Sequence, residues 1–87
     1  MVRLNQSFFV RVVIDYATCY GQRLGQALFN MLSVEATEKL VGNQIDPFYS
    51  VTNRSELFEW VDNHLILDDE ATAIAIFSGD EILWEAK

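Results

Sequence analysis

The chain has 87 residues, 51% of them hydrophobic, with one Pro, four Gly and one Cys. That is room for one compact domain over residues 1–87, and it excludes a disordered chain, a fibrous repeat and a disulfide-stapled scaffold. Six Lys and Arg stand against thirteen Asp and Glu, a net charge of −7, which argues against direct binding to nucleic acid or to an anionic membrane surface.

The first apolar runs, Phe8 to Val10 and Val12 to Ile14, are split by Arg11 and stopped by Asp15. Both are too short for a signal h-region or a membrane span. With a lone Cys19, which suits a reducing compartment, the expectation is a soluble cytoplasmic protein. Eleven of the hydrophobic residues are aromatic, more large apolar side chains than one small core hides. The surplus points to a partner, with a homodimer as the simplest form and scattered exposed side chains on a monomer as the competing reading.

Wound at 100° per residue, Phe9, Val13, Tyr16, Tyr20, Leu24, Ala27 and Met31 stay within a stripe of roughly 80°. Arg11, Asp15, Thr18, Gln22 and Gln26 fall on the opposite side. This period predicts a long N-terminal helix, capped at Ser7, with a kink or break near residues 20–22 where Gly21 weakens it. The β-branched cluster of Val10, Val12, Val13 and Ile14 leaves a buried strand open for residues 8–14. Ser33 is placed to cap a second helix through Val34, Thr37, Leu40 and Val41, ended by positive φ at Gly42 or Asn43.

Residues 43–52 read as a loop, in which Asp46-Pro47-Phe48-Tyr49 makes a turn that throws two rings onto the domain. Asn53 followed by Glu56 is a capping-box pattern for a third helix, which buries Leu57, Phe58, Val61 and Leu65 and leaves Trp60 partly exposed. Residues 71–77 and 82–85 are apolar runs around Ser78-Gly79-Asp80-Glu81, the pattern of a β-hairpin; the Ala content leaves helix open for residues 69–77. The expected fold is therefore α+β and mostly helical, with a long or broken N-terminal helix, two shorter helices and a C-terminal hairpin.

Charge is segregated along the chain. Residues 1–54 carry five basic residues against four acidic ones, whereas residues 55–87 carry nine acidic residues against Lys87 alone. An acidic surface offered to a basic partner is one reading of Asp68, Asp69, Glu70, Asp80 and Glu81; a solvated face that keeps a small apolar protein dispersed is the other. Phe48, Tyr49 and Trp84 join the candidate partner-binding residues, because aromatic side chains dominate interface energetics.

Enzymatic chemistry finds little purchase. A nucleophile and base would have to be Cys19 and His64, the single members of their types, and no activating sequence surrounds Cys19, which reads as an inert, buried or half-buried thiol. Asp62, His64, Asp68, Asp69 and Glu70 are rich in oxygen donors but match no calcium loop. No phosphate-cradling Gly-rich loop occurs. No catalytic residue, metal or cofactor is expected.

Arg23-Leu24-Gly25-Gln26-Ala27-Leu28-Phe29-Asn30, followed after a short helix by Asp46-Pro47-Phe48-Tyr49, resembles a group of small uncharacterised bacterial and phage proteins. These carry an Arg-x-Gly-Gln…Asn segment and a later Asp-x-Phe-Tyr. The likeness spans roughly residues 16–65. Such proteins tend to have Pro near the position of Tyr20 and acidic residues where this chain has Val51-Thr52-Asn53. The resemblance implies a helical core and a mobile-element source, and no activity. In physical terms Gly25 permits close approach of another segment, and Gln26 and Asn30, spaced i,i+4, are placed to bond each other or the loop of residues 46–49. The function expected from all of this is a non-enzymatic interaction module, a phage- or prophage-type regulator or inhibitor that binds a host protein through its acidic C-terminal surface. The alternative is a structural homo-oligomer.

Overall fold

The computed structural model describes residues 4–69 and 72–85. Four helices precede a small antiparallel sheet: α1 (Leu4–Tyr20), α2 (Leu24–Met31), α3 (Val34–Gly42), α4 (Arg54–His64), β1 (Leu65–Leu67), β2 (Ala73–Ser78) and β3 (Glu81–Glu85). The sheet order is β1-β2-β3. The expected mixed architecture is present: mostly helical, with the sheet at the C-terminal end.

The N-terminal stripe is broken where Gly21 predicts it. Gly21 takes φ +66°, and the Gln22 amide donates to the Ala17 carbonyl at 2.8 Å, the long bond of a Schellman close. Residues 8–14 are helical, so the strand alternative falls. Two details differ from expectation. The helix already runs from Leu4, so Ser7 lies exposed inside it and caps nothing. The stripe itself reaches the core on both sides of the break, with Phe9, Val13 and Ala27 buried and Tyr16, Leu24 and Met31 packed against them, but Tyr20 is left 65% exposed and Val10 and Ala17 enter the core as well.

α3 begins as its sequence dictates, with the Ser33 hydroxyl accepting from the Ala36 amide. Its end is displaced. Positive φ falls at Gln44 (61°), not at Gly42 or Asn43, and the Ile45 amide reaches back to the Leu40 carbonyl at 3.1 Å. This is a second Schellman close, with Leu40 and Ile45 meeting the core as the motif's apolar contact requires.

α4 is capped by the Asn53 side chain, which accepts from the Glu56 amide at 2.9 Å. The reciprocal arm goes one residue further out than in a standard box: Glu56 Oε1 accepts from the Thr52 amide and hydroxyl at 2.8 and 2.6 Å. The hydroxyl bond, then the amide bond, hold the Glu56 carboxyl below the ordinary glutamate range. The buried face corrects the expectation. Trp60 is only 7% exposed and Phe58 faces outward, because the indole Nε1 finds the Ile45 carbonyl at 3.1 Å, and a satisfied Trp outweighs Phe as core material.

Leu65 leaves the helix and opens β1, a strand too short for alternation to show in sequence. Residues 73–77 are strand, closing the helical alternative, and the β2–β3 turn carries Gly79 at φ +63°, the first central position at which a type II′ hairpin needs it. β1 pairs with β2 as Leu65–Ile76, Ile66–Ala75 and Leu67–Ala73, skipping Ile74. β2 pairs with β3 as Ala75–Glu85, Ile76–Trp84 and Phe77–Ile82, skipping Leu83. α4 packs on β1 and β2, and α3 on β3. The core therefore lies between the helices and the sheet face that carries Leu65, Ile76 and Leu83.

Candidate interaction surface

Cross-strand partners point to the same side of a sheet, so the register sorts the side chains. Leu65, Ile76 and Trp84 share the helix-covered face. The opposite face carries Ile66, Ala75 and Glu85 in one row and Phe77 with Ile82 in the next. Ile82 is 53% exposed and Ile66 39%, and Phe77, half-buried, stands outside the core cluster. Apart from the exposed Glu85 this outer face is apolar, with the small Ala75 buried in its middle, and no described helix covers it.

Its ends are acidic. Asp68 and Asp69 follow β1, and Asp80 and Glu81 sit at the β2–β3 turn. Five residue steps of β2 separate the two connections, a span of about 17 Å. The described acidic residues singled out in the sequence therefore form two groups at opposite ends of β2 rather than one patch; Glu85 lies on the outer face itself, whereas Glu81, paired with Ser78, falls on the helix-covered side. Asp69, Asp80 and Glu81 are exposed. Asp68 has structural work: its Oδ1 accepts from the Thr72 amide at 2.8 Å and its own amide donates to the Thr72 carbonyl. Glu70 lies outside the described residues.

The aromatic candidates do not join this surface as a group. Trp84 is half-buried and packs against the core from the helix side. Phe48 and Tyr49 lie in the α3–α4 loop beside α2. There the Phe48 ring meets Phe29 edge-on at 5.5 Å, and the Arg23 guanidinium sits 5.1 Å from the Phe48 centroid and 4.9 Å from that of Tyr49. Phe48 is thus turned onto the domain as expected, whereas Tyr49 is 75% exposed.

The loop that carries them is rigidly seated. Asp46 Oδ1 accepts from the Phe48 amide, the Val51 amide donates to Pro47 and the Gly25 amide to Val51. A Cβ at Gly25 would fall on the Pro47 carbonyl and within 2.7 and 2.8 Å of the Phe48 and Val51 carbonyls, so the close approach read from the sequence is real. The side-chain pairing is different: Asn30 Nδ2 donates to Gln22 Oε1 at 3.3 Å, bridging the helix break, and not to Gln26, which is half-buried on the same helix.

Cys19 is exposed near the end of α1, a correction to the buried or half-buried thiol expected. His64 Nδ1 lies 3.1 Å from the Phe77 carbonyl, and its ring lies tilted against Trp60 at a centroid distance of 4.9 Å. That ring is used in joining α4 to β2. Among the described residues no three His, Cys, Asp or Glu side chains gather as a metal site, and no helix is long and apolar enough to cross a membrane. An open cleft between α1 and α4 is lined by Gln6, Phe58, Glu59 and Asp62, with Gln6 Nε2 bonded to the Phe58 carbonyl at 3.2 Å.

The residues that sequence reasoning missed are Ile66, Phe77, Ile82 and Arg23. A signal for the first three was present. Ala73-Ile74-Ala75-Ile76-Phe77 contains no polar residue, whereas a strand with one wet face alternates; a wholly apolar run belongs to a strand that is dry on both sides. No family model matches the chain, and neither a curated protein nor a solved structure matches it.

Proposed function

We propose that this chain is a small non-enzymatic protein-interaction module, a regulator or inhibitor of the phage or prophage type that acts in the cytoplasm on a host protein. The observation that carries the reading is the outer sheet face: an apolar strip in which Ile66 and Ile82 are exposed, Phe77 is half-buried and Ala75 is buried, with exposed carboxylates of Asp69 and Asp80 at its two ends. Apolar centres with polar rims are the anatomy of protein interfaces. The clustering of negative charge at its ends favours a basic partner and a salt-sensitive encounter.

The test is capture from a lysate of the natural host, comparing the tagged chain with Ile82→Lys and with the triple variant Asp69→Lys, Asp80→Lys, Glu81→Lys. Asp68 is left intact because it closes the β1–β2 connection. A stoichiometric partner that is released by high salt and lost in both variants, with their thermal melts unchanged, is the expected result. Capture indifferent to both variants would overturn the reading. Recovery of the chain alone, as a homo-oligomer, would transfer it to the structural alternative.

A further inference from the structure

We infer that the outer sheet face is the seat of a basic amphipathic helix from a heterologous partner, laid along β2, and not of a second copy of this chain. The inference rests on the interaction reading above and deepens it by stating the partner's chemistry.

Four observations converge. First, β2 is apolar from Ala73 to Phe77, and the helices cover only the face that carries Ile76, leaving Ile66 and Ile82 exposed on the other; the element that covers a sheet face in layered folds is a helix. Three strands at ~4.8 Å spacing offer a width of roughly 14 Å, which accommodates a single helix of about 10 Å diameter. Second, strand addition is disfavoured at both edges. β1 has three residues and β3 is interrupted by the bulge at Leu83, the devices that blunt an edge.

Third, residues 55–85 contain no Lys or Arg. Two copies packed through this face would bring Asp69, Asp80 and Glu85 against their own kind in either strand orientation, and like charges across an interface repel. Fourth, the area is too small for a symmetric pair. About 17 Å of strand by about 14 Å of width is roughly 240 Å², well under the ~800 Å² per partner of a stable interface. For a second copy the usable surface ends at the apolar strip. For a basic helix it continues onto both acidic ends, and cations about 11 residues apart on the helix match the ~17 Å between them.

The experiment is an NMR titration of the 15N-labelled chain with synthetic helical peptides. The first carries a Leu stripe at helical spacing with Lys pairs at both ends, the second has Glu in place of the Lys, and the third has the composition of the first with the stripe scrambled. The expected result is shifts concentrated at Ile66, Ala75, Phe77 and Ile82 with the first peptide, no binding of the second, and at least about tenfold weaker binding of the third and of the first peptide to Ile82→Lys. Equal binding of the first and third would mean charge attraction alone and overturn the inference. So would shifts centred on the Gln6–Asp62 cleft or on Tyr49, or no shifts. Such a failure is distinguishable from failure of the interaction reading, because host-protein capture lost in the surface variants would leave that reading standing.

Discussion

Gly25 and Gln44 have opposite relations to their surroundings, and each yields a prediction. Glycine inside a helix ordinarily costs about 1 kcal/mol relative to Ala, so a bare propensity argument would have Gly25→Ala stabilise α2. The Pro47, Phe48 and Val51 carbonyls stand where the methyl would go, and they are backbone atoms of a loop held by several hydrogen bonds. Gly25→Ala is therefore expected to destabilise the domain by about 2–3 kcal/mol, read by chemical denaturation, and to loosen the loop that presents Tyr49. Gln44 is the reverse case: a residue with a Cβ at φ 61°, one position past α3, where glycine is the usual occupant. Gln44→Gly should raise stability by roughly 0.5–1 kcal/mol; an unchanged or lowered midpoint would show that the Schellman close is not formed. The sequence made the first residue legible and obscured the second. Gly25 stands in a helix with a partner loop still to be found, whereas Gly42 and Asn43 drew the positive φ away from Gln44, whose side chain carries no hint of it.

At the scale of elements, capping explains which boundaries were readable. Ser33 and Asn53 each have a side-chain acceptor at the right offset from the first helical amides, and both bonds form. Ser7 has the same chemistry but lies within α1, where the helical period already extends on its N-terminal side. Asn53→Ala should cost about 1 kcal/mol. Glu56 adds a pH dependence to the same cap. Its folded carboxyl ionises more readily than an unfolded glutamate because Thr52 donates to the charged form, so its contribution is fully present above the unfolded value and is lost as pH falls through the lowered folded value. The stability difference between the native chain and Glu56→Gln should accordingly favour the native chain at neutral pH and vanish in acid. A difference that is constant or grows on acidification would contradict the Thr52–Glu56 bond. Other boundaries depended on tertiary partners. Trp60 changed places with Phe58 because its Nε1 has the Ile45 carbonyl to reach, and β1 exists only because β2 lies beside it.

At the scale of the molecule, the helical N-terminal half, the break at Gly21 and the hairpin were legible because each follows from local period or turn chemistry. The segregation of charge was legible by counting. What could not be read was how charge and apolar surface combine: the two acidic groups are placed by the strand register, and the bulges at Ile74 and Leu83 decide which side chains share the outer face. That face is the centre of the functional account, which holds that it awaits a heterologous basic partner and repels its own copy. The most direct test is sedimentation velocity across a wide concentration series at low and physiological salt, on the native chain and on Ile82→Lys. The account predicts a single monomeric species at every concentration for both. A dimer that strengthens with concentration and is abolished by Ile82→Lys would contradict it, and would make the outer sheet face the interface of a homo-oligomer.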